Sequence, residues 1–439
     1  MLYGLRQRLD AVGLPFRALL LSDALMLLAM MVARVAVPWW IVHEGGAGHL
    51  ALYAVVQAVV AFVSMPLLSP LGDRYSKRLL ITLGLLIFAA EGVVMATLAT
   101  LGIYHLWLVI ALEALPVIAM SLILPASLSI AADLVPAERF ADALALQKSA
   151  QAFGRLIGPV LGGTALALSG TAAALWLHWV MVLAAALLAW RIPSIARHPG
   201  EGGAKRWWRD LRAGLRATWS IPIERGRIAI SFLVMVCFTP AVGMLVPLKV
   251  QSLGLSGAWL GACEAALSLG MLAGALGVAA RLADYLGRYR AAIGGIMLEG
   301  LALALAGFTS NPYLLVVCYA VTGVGLAMVM LVGQTHRMLA IPEDFRARIV
   351  AVSMMVMQIA GTLGPGLAGI ALTSIPVREV YVVFGLAEFI FAFGYFLVPR
   401  YREFLALGHE EVRGWYGRQF PGAFRRAESD SGLPMNDKS

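Results

Sequence analysis

Long apolar runs alternate with short polar segments along almost the whole chain. Each run has the roughly 20 residues that an α-helix needs to cross a hydrocarbon core about 30 Å thick. The runs lack the apolar-polar alternation of strands, and only helices or closed barrels satisfy the backbone within lipid. We therefore predict twelve transmembrane helices, spans 1 to 12, at residues 16–42, 49–71, 79–101, 106–131, 143–168, 172–192, 227–249, 257–281, 291–309, 312–336, 347–373 and 378–398.

Composition supports an all-α polytopic membrane protein. Hydrophobic residues make up 60% of the 439 residues and charged residues only 13%, more apolar surface than a soluble fold can bury. The first run lacks a small-residue cleavage site, so we expect a retained helix and not a cleaved signal. Cys237, Cys263 and Cys318 all lie inside spans and match no disulfide, zinc or thiol motif.

Basic residues predict the orientation. Lys and Arg cluster at the N-terminus, after spans 2, 6, 8 and 10 and in the tail, and Lys249 and Arg378 are the exceptions on the opposite side. The positive-inside rule then places both termini in the cytoplasm, which agrees with an even number of spans in a cell inner (plasma) membrane. The net charge of +9 is explained by topology and contact with anionic lipids, so nucleic acid is not an expected partner.

A polar segment divides the chain into two halves of six spans. It contains a basic amphipathic pattern that predicts a helix lying on the membrane surface, with a plain topogenic loop as the alternative. Its apolar side would carry Trp207, Trp208, Leu211, Leu215 and Trp219, and its basic side Arg209, Arg212 and Arg216. The predicted organisation is an N-terminal half at 1–192, a cytoplasmic central loop at 193–226, a C-terminal half at 227–398 and a partly disordered cytoplasmic tail at 399–439.

The two halves echo each other at matching positions. The Gly-Pro pair at Gly158 recurs at Gly364, the Val-Pro step at Val135 recurs as an Ile-Pro step at Ile341, and Asp73 has a loose counterpart in Asp284. The offsets are 206, 206 and 211 residues, which indicates an internal repeat. Two parallel six-helix repeats are a recurrent transporter design with the substrate site between them.

The loop after span 2 carries Asp73, Arg74, Lys77 and Arg78, with Ser69 and Ser76 in place of two glycines. It resembles the loop signature of the major facilitator superfamily. The resemblance implies a conformational switch, to which Asp284 would add the second half, that locks the halves together in the outward-facing state. The alternative is a loop that only sets topology.

Span 5 carries a glycine motif that resembles the signature of the antiporter subset of that superfamily, and the resemblance implies export. Glycines four residues apart allow a neighbouring helix to approach closely, and the proline bends the helix. Weaker similarities at Val37–Trp40, Leu134–Pro136 and Trp208–Arg216 point to the enterobactin-exporter-like and macrolide-efflux-like branch. The motif residues are Gly154, Arg155, Gly158, Pro159, Gly162 and Gly163.

Charges inside spans are costly and mark candidate coupling sites. Arg34 and Glu113 share a depth, so we predict an ion pair across the cavity that replaces the span 4 arginine of many antiporters, with a static structural pair as the alternative. Asp23 is the candidate proton carrier, unless it only hydrogen-bonds a neighbouring helix. Glu264 is placed to line the cavity. The remaining intramembrane groups, for which only interhelix hydrogen bonds are expected, are Glu91, His178, Glu299 and Glu388.

Together these features predict proton-coupled export of an organic amphiphile, such as a siderophore or drug, by alternating access. The chain lacks a Walker motif and the motifs of membrane-embedded enzymes, so we expect no catalytic residue, no metal and no cofactor. The expected partners are a small-molecule substrate, protons and membrane lipids, and the protein is expected to act as a monomer. The alternatives are an importer, a facilitator, a lipid flippase or a transport-inactive sensor.

Overall fold

A computed structural model describes residues 13–68, 75–136, 139–193 and 204–424. Ten of its helices are long and apolar enough to cross a membrane, and two of these hold two spans each. Gly13–Leu68 contains spans 1 and 2 and turns at Gly46, and Phe140–Ala189 contains spans 5 and 6 and turns at Gly170. Both turns use a positive φ, 69° and 79°, which glycine adopts without strain. The twelve-span prediction is confirmed.

The other spans keep the predicted order, and three of them are interrupted. Span 7 breaks at Met244, four residues after Pro240, and spans 8 and 10 each contain a π-helical turn, at Gly274–Val278 and Val329–Gln334. The observed bounds are Lys77–Leu101 for span 3, Leu106–Leu134 for span 4, Pro222–Gly243 with Leu245–Ser252 for span 7, Gly257–Leu286 for span 8, Arg288–Phe308 for span 9, Pro312–Ala340 for span 10, Glu343–Ala371 for span 11 and Val377–Leu397 for span 12.

Contacts between spans define two sides of the bundle. Span 6 runs opposite to span 1, since Ser22 donates to Ala185 O at 2.9 Å while His178 bonds to Ala29 O. Span 11 likewise runs opposite to span 2, because Gln358 donates to Ala58 O and Gly369 lies against Ala51. The start of span 1 and the tail therefore lie on one side, here called the terminal side. The turns at Gly46 and Gly170 lie on the other, the far side.

Among the described residues, the hydrophobic cluster that joins the two halves lies on the far side. One hydrophobic cluster there combines spans 1 and 2, from Val32 to Ala51, with spans 7 and 8, from Phe238 to Leu267. On the terminal side each half has its own cluster, one around Phe16 and the other around Tyr401. The halves are thus closed against each other on the far side and separated by a cavity towards the terminal side.

The central loop forms the helix Ala204–Ser220 within its described part. Leu211, Ala217 and Thr218 are buried, and a Cβ on Gly214 would lie 2.6 Å from Arg348 O, so this face packs against span 11. Trp219 is 70% exposed, although it belongs to the predicted apolar side with the buried Leu211. The helix therefore packs through a face next to the predicted one and leaves an apolar strip for the membrane surface. The side chains of Trp207, Trp208 and Arg209 lie outside the described part.

The described part of the tail, which ends at Phe424, is folded, whereas the sequence predicted a polar, partly disordered segment. Short helices at Tyr401–Ala406, His409–Val412 and Trp415–Gln419 are followed by a turn at Pro421–Phe424. They pack against the C-terminal half because their aromatic side chains form one buried cluster with Phe345 and Ile349 of span 11. The polar residues on which that prediction rested, at 428–432, lie outside the described residues.

Candidate substrate cavity

The cavity between the halves has a volume of about 970 Å³ and is lined by both of them. That size accommodates a drug-sized ligand. The wall is mainly apolar and includes Phe88, Phe238 and eight methionines, Met30, Met31, Met120, Met235, Met244, Met271, Met330 and Met357. The thioether groups of methionine are polarisable and adapt to ligands of different shape.

An ion pair crosses from one half to the other in the cavity wall. Arg34 Nε of span 1 lies 3.2 Å from Glu264 Oε2 of span 8, and the exposed fractions of the two side chains are 44% and 7%. The described residues include no ion pair between Arg34 and Glu113, so the predicted pairing is wrong. Depth along the membrane placed Arg34 and Glu113 together, but the closed far side brings span 8 against span 1 and supplies a nearer carboxylate.

Glu113 instead bonds within the N-terminal half. Its Oε2 accepts a hydrogen bond from the Tyr53 hydroxyl of span 2 at 3.2 Å, and both residues line the cavity. Sequence reasoning missed Tyr53, although a lone tyrosine among the small apolar residues of span 2 was a visible signal.

Glu91 and His178 form a second ionisable pair that lines the cavity. His178 Nδ1 lies 2.9 Å from Ala29 O and must donate to it, which leaves Nε2 facing Glu91 Oε2 at 3.7 Å. Glu91, for which only an interhelix hydrogen bond was expected, thus lines the cavity beside His178. Gly92 allows this approach, since a Cβ there would lie 3.2 Å from the His178 ring.

Asp23 is 4% exposed and does not line the cavity. Its Oδ2 accepts a hydrogen bond from Gln147 Nε2 at 2.6 Å, which ties span 1 to span 5. The hydrogen bond to a neighbouring helix, which was the alternative role predicted for Asp23, is thus present. Among the described residues, no group of His, Cys, Asp and Glu has the arrangement of a metal site.

The glycine motif of span 5 lies at two helix contacts. A Cβ on Gly158 would lie 2.4 Å from Met31 Cβ, and one on Gly162 would lie 3.0 Å from Val32 Cα, so both positions, like Gly154, hold span 5 against span 1. Gly163 faces the other half, where a Cβ would lie 2.8 Å from Gly261 Cα of span 8. Arg155 lines the cavity and Pro159 lies within the helix.

The repeat in sequence is also a repeat in packing. Gly364, which is 206 residues after Gly158, packs span 11 against Val236 of span 7. Gly369, which is 206 residues after Gly163, packs span 11 against Ala51 of span 2. The same glycine positions therefore form the seams within each half and between the halves.

The predicted switch is described only in part, since Asp73 and Arg74 lie outside the described residues. Lys77 begins span 3, and Ser76 caps it by accepting from Leu79 N. Arg78 donates to Trp190 O at 2.7 Å at the end of span 6, and Asp284 is exposed at the end of span 8. A charge cluster across the two halves remains a prediction.

A buried charge network lies on the terminal side of the C-terminal half, at the end of span 10. Arg337 is 2% exposed, and its Nε donates to both oxygens of Glu224 at 2.9 and 3.0 Å. Arg227 and the Tyr416 hydroxyl also donate to Glu224, at 3.1 and 3.0 Å. Burial, and secondarily the Glu224 carboxylate, raise the pKa of Tyr416 well above its usual value, so this hydroxyl remains a donor. The network fastens the tail to spans 7 and 10.

The Major Facilitator Superfamily model matches residues 19–291 and 265–415. The chain belongs to this superfamily. Among solved structures with a similar fold, that of the nucleoside transporter NupG has 15% identity to this chain and a TM-score of 0.69. The match covers 88% of this chain and 100% of that one. A bacterial homolog of the human lysosomal transporter Spinster, in an inward-facing and unoccupied conformation, has 13% identity and a TM-score of 0.64, covering 91% and 98%.

A POT family transporter in complex with a thioalcohol-conjugated peptide has 11% identity and a TM-score of 0.67, covering 89% of this chain and 96% of that one. No curated protein matches the sequence. Identities this low between the chain and these solved structures show a shared fold alone. Membership of the superfamily supports membrane transport, and the cavity between the halves is where this fold binds substrate.

Proposed function

We propose that this protein is a proton-coupled secondary transporter that exports an organic amphiphile across a bacterial-type inner membrane. The observation that carries the proposal is the apolar cavity between two halves whose shared hydrophobic cluster, in the described part of the chain, lies on the far side. With cytoplasmic termini, as the basic loops predict, this is the state that takes up substrate from the cytoplasm. The span 5 motif supports export over import.

The Arg34–Glu264 pair supplies a coupling element. The pair holds the far side closed while Glu264 is ionised, and it must separate when the far side opens. Once separated, Glu264 can take up a proton from the far side. Closure then brings Arg34 back, stabilises the carboxylate and releases the proton into the cavity, so each cycle carries one proton inward. Asp23 is a second candidate proton carrier, buried beside this path on span 1.

The test is uptake of a fluorescent amphiphile into everted membrane vesicles, with and without an uncoupler, for the unchanged protein and for Asp23→Asn and Glu264→Gln. We expect uncoupler-sensitive accumulation that Glu264→Gln abolishes. Loss in Asp23→Asn as well would place that carboxyl in the proton path. Accumulation that survives both the uncoupler and Glu264→Gln would overturn proton coupling, and loss of preloaded substrate from the vesicles would indicate import.

A further inference from the structure

We infer that the substrate is a lipophilic organic cation and that Glu113 is the residue that recognises its charge. The inference rests on the proposed function, because it takes the cavity as the substrate site. It concerns the charge class of the ligand and not the direction or the energy source of transport.

The first observation is an imbalance among the three carboxyl side chains of the cavity wall. Glu264 is paired with Arg34, and Glu91 faces His178. Glu113 has only the Tyr53 hydroxyl, at 3.2 Å, and the described residues place no cation within ion-pair distance of it. A carboxylate inside a membrane protein needs a counter-ion or a proton. Within the described wall Glu113 has neither, so its partner comes from outside, as a proton in the empty cavity or as the charge of a bound cation.

The second observation is the chemistry of the surrounding wall. Tyr53, Phe88 and Phe238 present aromatic rings to the cavity, and eight methionines present polarisable thioethers. Aromatic faces attract cations, and thioethers pack against large apolar groups of varied shape. A small hydrated cation would lose its water without replacement ligands here. A bulky cation with delocalised or shielded charge matches both the wall and the carboxylate, so an anionic siderophore is disfavoured.

Arg155 is the opposing charge in the lining and makes the inference testable. Its side chain is exposed to the cavity, so water can solvate its guanidinium. Glu113 is partly buried and is held in place by Tyr53. If the substrate were an anion, Arg155 would be its recognition group. Neutralising each residue in turn therefore separates the two charge classes.

The experiment measures equilibrium binding of tetraphenylphosphonium and of tetraphenylborate, ions of the same shape and opposite charge, to the purified full chain in nanodiscs. We expect tetraphenylphosphonium to bind more tightly, and Glu113→Gln to weaken it by about tenfold or more, as expected for loss of one desolvated charge contact. Tyr53→Phe should weaken it less. Arg155→Gln should bind the cation at least as tightly as the unchanged protein does.

Two results would overturn the inference: equal tetraphenylphosphonium affinity in Glu113→Gln, or tighter tetraphenylborate binding that Arg155→Gln removes. If Glu113→Gln does not fold, labelling of Glu113 by a hydrophobic carbodiimide serves instead. The bound cation should then protect this carboxyl, and labelling that the cation leaves unchanged would contradict the inference. Binding needs no gradient, so charge-selective binding without uncoupler-sensitive flux would overturn only the transport proposal.

Discussion

At the scale of single residues, the charged side chains of the cavity wall differ in the partner that each one has. Arg34 and Glu264 connect the two halves, and Glu91 and His178 stay within one half. In the described part of the chain, Glu113 has the Tyr53 hydroxyl as its polar partner. Only the first pair changes its separation when the halves move apart. Its energy is therefore part of the balance between the two conformations, whereas the other pairs move as part of one half.

Glu264→Gln should shift the protein towards opening of its far side. Because Arg34 is 44% exposed, the lost ion pair is worth about 1 kcal/mol, or about a fivefold change in the ratio of the two states. Spin labels at His43→Cys and Ser256→Cys, two exposed far-side positions on opposite halves, would report the distance distribution.

The charge swap of Arg34→Glu with Glu264→Arg is the matched control and should restore the original distribution. The native cysteines Cys237, Cys263 and Cys318 are buried and should not react with the label. An unchanged distribution in Glu264→Gln would show that the pair does not hold the far side closed.

At the scale of helices, glycine positions decide which spans can touch. Span 5 meets span 8 backbone to backbone at Gly163 and Gly261, and a Cβ on Gly261 would lie 2.5 Å from Pro159 O. Backbone atoms cannot move aside as the end of a side chain can. The far-side seam between the halves therefore depends on these two positions.

Gly261→Ala should lower the free energy of unfolding of the closed state by about 1–3 kcal/mol, the usual cost of overpacking. The control is Gly294→Ala in span 9, where an added Cβ meets nothing within 4 Å and should leave stability equal or slightly higher. A thiol-reactive dye that fluoresces as the three buried cysteines become exposed would give both melting temperatures. Equal melting temperatures for the two variants would contradict the close packing at this seam.

Tyr416→Phe should loosen the tail from the C-terminal half. It removes the 3.0 Å hydrogen bond to Glu224, and a buried hydrogen bond to a charged group is worth about 1.5–3 kcal/mol. Limited proteolysis between residues 401 and 424 should become faster, while Tyr285→Phe, at an 87% exposed position, should leave the rate unchanged. The same cleavage rate in both variants would show that the network does not fasten the tail.

At the scale of the whole molecule, the two halves are packed together on the far side and are separated by the cavity towards the terminal side. The far-side cluster draws on both halves, whereas each terminal-side cluster belongs to one half. Alternating access requires this asymmetry to reverse during the cycle. A covalent link across the far side should therefore stop the cycle in the state described here.

The double variant Val55→Cys with Gly366→Cys tests this, since a Cβ on residue 366 would lie 3.4 Å from a Val55 methyl group across the seam of spans 2 and 11. Oxidation should abolish transport, and a reductant should restore it. Binding of substrate from the terminal side should survive in both forms. Continued transport by fully cross-linked protein would mean that the far side does not open, and each single cysteine variant is the control.

The sequence alone determined the number and order of the spans, because bilayer thickness sets the length of an apolar run. It also located the repeat and the glycines of span 5, whose contacts with spans 1 and 8 follow from their small size. For charged side chains it gave depth only. Which helix faces Arg34 or Glu91 depends on rotation about each helix axis and on the conformation of the two halves.

Only the tertiary structure decided those partners. Arg34 meets Glu264 and not Glu113 because the closed far side places span 8 beside span 1, and Glu91 meets His178 because Gly92 lets span 6 approach. It also decided the burial of the tail, whose aromatic residues are dispersed among polar ones and become a cluster only against span 11. Pairings of this kind arise between residues far apart in the chain, so no local pattern encodes them.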